Sequence, residues 1–112
     1  MKALQWLTQV KAGARQYFPT SALHVQMLRE TRVKVHIEIG EGAFADLFFR
    51  EETGRVDYTL IVGEKRRYGL DNLGGWHEHP LSAPESHVPI EASSPEDALR
   101  RLRAAADALA PR

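Results

Sequence analysis

The feature that most constrains this chain is a period of two that recurs in segments between Leu23 and Val62, separated by turns of hairpin length. Leu23, Val25 and Met27 alternate with His24 and Gln26, and the same phase returns in Val33, Val35, Ile37 and Ile39. Successive side chains of a strand point to opposite faces, so this alternation specifies strands with one buried face. Gly40-Glu41-Gly42 turns into AFADLFFR at 43–50, and the Glu51 to Gly54 turn leads into VDYTLIV at 56–62, where Tyr58, Leu60 and Val62 share a face. Gly63-Glu64 makes another short turn before the basic strand KRRYGL at 65–70. Connections this short join antiparallel neighbours, which predicts a β-meander of four or five strands over residues 22–70. The count turns on RETR at 29–32, which reads either as a turn between two strands or as part of one long strand.

Helical spacing appears at both ends. Ala3, Leu4, Leu7, Val10 and Ala14 recur near every 3.6 residues, an amphipathic helix that Gly13 and Pro19 are expected to end, so residues 1–20 form a helix and connector. Near the other end Ser94 is an N-cap, Pro95 takes the first helical position, and Glu96 and Asp97 complement the helix dipole. Ala98, Leu99, Leu102, Ala105, Ala106 and Leu109 make an apolar stripe over 94–109, with Arg100, Arg101 and Arg103 off it. The expected fold class is therefore α+β: one domain spanning 1–112, an antiparallel meander with an N-terminal helix and a C-terminal amphipathic helix packed on the sheet.

Composition limits the chemistry. With 112 residues the chain holds one ordinary core, and its 43% hydrophobic and 27% charged content is that of a folded globular domain. It has no cysteine, so disulfides and thiolate metal sites are excluded and a metal would need His, Asp or Glu. Fifteen basic residues balance fifteen acidic ones, which argues against a surface that grips nucleic acid through many phosphates but leaves room for a local basic patch. No apolar run approaches the roughly 18 residues of a membrane span, and MKALQWLTQVKAG is too polar for a signal peptide, so a cytoplasmic location without membrane contact is expected.

Between the sheet and the last helix, residues 71–93 show no periodicity and carry three of the five histidines. A loop this long in a small domain is usually functional or disordered. The stretch RRYGLDNLGGWHEHP, Arg66 to Pro80, concentrates proton-handling and anion-binding groups as no other part of the chain does. In an extended segment His77 and His79 present their rings on one side while Glu78 faces away. Two imidazoles suit a divalent metal or a division of acid and base work, and they are equally at home solvated or bonded to backbone. Either active role needs a third partner, for which Asp71, Glu85 and His87 are at hand. Arg66 or Arg67 can clamp a phosphate, or can simply charge an edge strand against aggregation. Tyr68 is a substrate hydroxyl or a core aromatic, and Trp76 a stacking platform or a cover for the core. Asn72 and Gly74-Gly75 read first as turn chemistry, while Asp71 can also orient a histidine by accepting its second N–H.

The order of these parts, strands ending in RRYGLDN, then Gly-Gly, WHEHP and an SPEDAL helix, resembles the TumE-like family of small toxin–antitoxin proteins. The resemblance spans roughly 33 to 109 and is carried by Tyr68, Gly69, Asp71, Asn72, Gly74, His77, His79 and the helix start at Ser94 to Leu99. It departs at Leu70, where a second aromatic is expected, in a shorter and Pro-rich histidine segment, and in the added leading helix. It implies a growth-arresting protein made beside a cognate antitoxin, with RNA as the substrate of a metal-independent cleavage. In that reading no cofactor is needed: His77 and His79 are base and acid in unassigned order, Arg66 or Arg67 the cation for the phosphorane, and Asp71 the orienter. Tyr68, Asn72, Trp76 and His87 would then contact substrate. Two other readings stand beside it: a non-catalytic interaction domain using exposed strand edges, in which a homodimer is open, and a divalent-metal protein with His77, His79 and His87 as ligands.

Overall fold

The computed structural model describes residues 1–110 and has the expected α+β architecture. Helix α1 (Ala3–Tyr17) precedes seven strands, β1 (Leu23–Arg29), β2 (Arg32–Gly40), β3 (Ala43–Arg50), β4 (Arg55–Val62), β5 (Lys65–Asp71), β6 (His77–His79) and β7 (Val88–Pro89), and α2 (Pro95–Leu109) follows. The strands lie in chain order in one sheet, each antiparallel to the next. The chain thus holds more strands than the four or five read from periodicity. RETR is a turn, so β1 and β2 are separate, and the segment read as a 71–93 loop continues the meander as β6 and β7. Strands of three and two residues are too short to leave a period in the sequence.

The alternation predicted in β2 and β4 is realised in register, and β3 and β5 follow it. Val33, Val35 and Ile37 on β2, Ala45, Leu47 and Phe49 on β3, and Val56, Tyr58 and Leu60 on β4 are buried together with Tyr68 and Leu70 on β5. Both helices cover this face with Trp6, Leu7, Val10, Leu99 and Leu102, each buried side chain contributing about 1.5–3 kcal/mol of apolar transfer. Trp6 stacks on Phe49 at 5.3 Å between ring centres and donates its Nε1–H to the Tyr58 hydroxyl at 3.0 Å. Burial pushes that hydroxyl up to about 12, so it stays protonated in its apolar setting.

Gly13 does not end α1; the helix runs on to Tyr17. A Cβ at Gly13 would sit 3.3 Å from Leu99 Cβ and Cγ, so the missing side chain is what lets α1 and α2 approach closely. Helix α2 begins as the sequence indicates, with the Ser94 side chain accepting the Asp97 backbone N–H at 3.1 Å and Pro95 following. No helix among the described residues is long and apolar enough to cross a membrane. Among the described residues, no helix lies on the opposite face of the sheet. His24, Gln26, Lys34, His36, Asp46, Asp57, Thr59 and Ile61 occupy the alternate positions there, and the histidine-bearing strands complete it.

Candidate functional site

On β5 the register shifts between Leu60 and Ile61, which pair with Tyr68 and Arg66, so Arg67 is the extra residue of a bulge. The two arginines therefore do not simply alternate: Arg66 opposes Ile61 on the uncovered face. Beyond the bulge, Gly69 opposes Thr59 and Asp71 opposes Asp57. The next turn is built from Asp71, Asn72 and two glycines. Asp71 Oδ1 accepts the Leu73 N–H at 3.0 Å, and Gly74 and Gly75 hold φ of 70° and 115°, where side chains are disfavoured. This turn returns the chain as β6, setting His77 directly against Asp71 and His79 against Gly69 on the uncovered face.

His87 arrives by a different route. After Pro80 the chain makes two tight turns, closed by Ala83 N–H to Pro80 O and Ser86 N–H to Ala83 O, and comes back as β7 beside β6. Arg66 donates to the Pro84 carbonyl at 3.3 Å and so ties this excursion to β5. The three imidazoles meet pairwise, with ring centres 5.1 Å apart for His77 and His79, 4.8 Å for His77 and His87, and 4.6 Å for His79 and His87. One nitrogen from each lies within 4.8 Å of the others. His79 is buried at 2% exposure, His77 is half-buried and His87 is exposed, so the cluster opens to solvent on one side.

Hydrogen-bond partners fix the ring protons. His77 Nδ1 lies 3.0 Å from the Gly75 carbonyl, which only accepts, so Nδ1 carries hydrogen and Nε2 faces Asp71 Oδ1 at 3.1 Å. His79 Nε2 donates to Asp71 Oδ2 at 3.1 Å. Its Nδ1 is buried and has no partner. The Cδ2 edge of the ring is the one turned towards Gly69 on β5, so Nδ1 lies on the edge away from β5, the side on which β7 and His87 stand. A histidine that donates one N–H to a carboxylate or carbonyl and leaves the other nitrogen free in a cluster of imidazoles has the arrangement of a metal ligand.

Glu78, between the two histidines, faces the helices as the strand period requires. It accepts the Tyr68 hydroxyl at 2.5 Å and an Arg101 N–H at 3.3 Å, and Arg101 also donates to Asp97, which takes the Ser93 hydroxyl at 2.8 Å. Burial and then the neighbouring Glu78 raise the Tyr68 hydroxyl far above its ordinary value, so it remains a donor. This chain of bonds fastens the back of β6 to α2. Arg101 was not singled out by the sequence, although its i,i+4 spacing from Asp97 was the available signal.

Of the residues named from the sequence, Asp71, His77, His79, His87 and Arg66 share this end of the uncovered face. Tyr68 lies on the helix side, directed to Glu78. Trp76 packs against the core beside Trp6, Tyr58 and Pro95. Asn72 has both polar ends engaged, its Oδ1 accepting the Val56 N–H at 2.9 Å and its Nδ2 donating to Gly54 O at 3.0 Å, which staples two turns together. Glu85 is exposed on the excursion. His24 and His36 lie elsewhere on the uncovered face, His36 paired to Asp46 at 2.9 Å. Comparison with protein-family models, with curated proteins and with solved structures finds no match to this chain.

Proposed function

We propose that His77, His79 and His87 hold a divalent metal ion and that an open coordination position on it activates water. The observation that carries this reading is His79 Nδ1, a buried lone pair without a partner, in a ring oriented by Asp71 and in contact with two further imidazoles. Such a nitrogen costs about 1–3 kcal/mol when left unpaired, and a bound cation removes that cost. Three imidazoles suit zinc, nickel, copper or iron, and three protein ligands with an exposed fourth position are the pattern of catalytic rather than structural zinc. With its Nδ1–H given to the Gly75 carbonyl, His77 would offer Nε2 to the ion by turning it from Asp71 Oδ1, 3.1 Å away, whose charge would offset the ion's, while Oδ2 would keep the His79 tautomer. Bound there, such an ion would supply a Lewis acid that makes water a stronger nucleophile for hydrolysis near neutral pH. From the resemblance to TumE-like proteins we infer the setting: a toxin masked by an antitoxin, with RNA as the substrate.

A second reading is favoured by one specific contact. Without a metal, His77 Nε2 attracts Asp71 Oδ1 if both ring nitrogens carry protons, which makes His77 an acid beside the free lone pair of His79, a base. Arg66 on the same face would meet the phosphate, and RNA would be cleaved without metal. Protein purified without a histidine tag, stripped by chelator and then reconstituted, separates the two on an RNA substrate. Cleavage that requires added metal and is lost in His79→Ala supports the metal centre. Undiminished cleavage by stripped protein transfers the site to the second reading. No cleavage in either state leaves a non-catalytic interaction domain.

A further inference from the structure

The two edges of the sheet are built differently. One ends in β7, two residues long and containing Pro89, which has no N–H to offer another strand. The other ends in β1, seven residues with no proline, no acidic residue and no lysine or arginine before Arg29. Its Val25, Met27 and Leu28 are 41%, 42% and 43% exposed, three of the seven large hydrophobics exposed among the described residues. A long edge with exposed apolar residues, one charge at its end and no covering element is what isolated sheets avoid.

The hydrogen-bond register says how this edge can be filled. Glu38 N–H donates to Ala22 O, so Ala22, His24 and Gln26 point their backbone groups into the sheet at β2. Leu23, Val25 and Met27 therefore direct N–H and C=O outward. A second antiparallel strand must pair outward residues with outward residues. A two-fold axis at Gln26, the middle of β1, satisfies this, setting Val25 against the second copy's Met27 and Gln26 against the second copy's Gln26. Val25 and Met27 lie on the helix-covered side, opposite Val35 and Val33 of β2, so the apolar pairs extend the core layer. Arg29 falls opposite Leu23, and no like charges meet. The bulge at Leu28 lies at the strand's end and leaves residues 23–27 regular.

We propose that two copies pair β1 against β1, antiparallel about a two-fold axis at Gln26, to form one continuous sheet. The uncovered faces of both copies then join, with the two histidine clusters at its far ends and open to solvent. A second copy is favoured because this register overlaps all seven residues of β1, sets the exposed Val25 and Met27 against each other and brings no like charges together.

Single cysteines test the register, because the chain has none of its own. Facing Gln26 positions form a pair without mutual hydrogen bonds, with Cα atoms about 4.5 Å apart, inside the disulfide range of about 4.4–6.8 Å. Under mild oxidation Gln26→Cys should close an intermolecular disulfide, while the equally exposed His24→Cys, which faces Leu28 of the other copy, should not. Sedimentation equilibrium of the unmodified chain should give twice the 12.6 kDa chain mass. Val25→Pro removes an outward N–H without touching the β1–β2 ladder, and should weaken self-association by about tenfold or more with an unchanged circular dichroism spectrum. A monomer mass at every soluble concentration overturns the proposal. So does cross-linking of His24→Cys as readily as Gln26→Cys, or a folded Val25→Pro that associates as before.

Discussion

Replacing Asp71 by asparagine should disable the proposed metal site while leaving the fold in place, and the reason is tautomeric. Asp71 Oδ1 accepts the Leu73 N–H at 3.0 Å, so in Asp71→Asn the carbonyl oxygen must keep that position and the new NH2 must occupy the place of Oδ2. That NH2 then points at His79 Nε2, which lies 3.1 Å from Oδ2 in the native chain. Two donors cannot face each other, so Nε2 becomes the acceptor and the ring proton moves to Nδ1. The nitrogen proposed as a ligand is then a donor, buried and still unpaired. Loss of an orienting carboxylate usually weakens metal binding by about 10–100-fold, or about 1.4–2.7 kcal/mol, and a blocked ligand nitrogen places this variant at the upper end or beyond. Isothermal titration of zinc into tag-free protein reads the affinity, and a thermal melt of the apo protein reads the fold. The reasoning is refuted if Asp71→Asn retains its fold and binds zinc as tightly as the native chain.

Asn72→Ala should do the reverse. It removes two hydrogen bonds, each contributing about 0.5–1.5 kcal/mol, and strands the Val56 N–H, so the melting temperature should fall by roughly 5–20 °C while one metal ion still binds the folded fraction. Asp97 sets an acid limit on stability: burial alone would raise its carboxyl, but hydrogen bonds from Arg100, Ser93 and Arg101 outweigh this and hold it at about 2 against an ordinary 3.8. A depressed carboxyl stabilises the fold above its unfolded value and loses that contribution as pH falls through its folded one. Denaturation followed from pH 5 to pH 2 should therefore lose stability between about 3.8 and 2, and Asp97→Asn should flatten that part of the curve. An unchanged profile in the variant would remove Asp97 from the account.

Much of this architecture was readable because burial on one face imposes a period. In β2 and β4 the inward residues Val33, Val35, Ile37, Tyr58 and Leu60 are buried, with Ile39 and Val62 partly so, and Ser94-Pro95 with the stripe behind it marks α2 to within a residue. The errors fall where the controlling interaction is distant in sequence. Gly13 looked like a helix stop, but its role is set by Leu99, and only the packed helices reveal that. β6 and β7 left no pattern because their pairing comes from neighbouring strands rather than from their own alternation. The site was legible in part for the same reason. His77 and His79 on one face, with Glu78 opposed, followed from the strand period, and Asp71 as an orienter from the ability of its carboxylate to accept a ring N–H. That His87 closes the cluster depends on two turns between Pro80 and Ser86 whose geometry the sequence does not display. Asn72 and Tyr68, both considered as substrate contacts, instead serve the scaffold: one staples two turns and the other anchors Glu78.

The claim on which the functional account rests is that three histidines and a carboxylate form a metal centre. It is tested most directly by equilibrium dialysis of chelator-stripped, tag-free protein against zinc, nickel and manganese, with bound metal counted by mass spectrometry. The account predicts one ion per chain, lost in His77→Ala and in His79→Ala and weakened in His87→Ala, each variant still folded. Native protein that is folded yet binds none of these ions would contradict it.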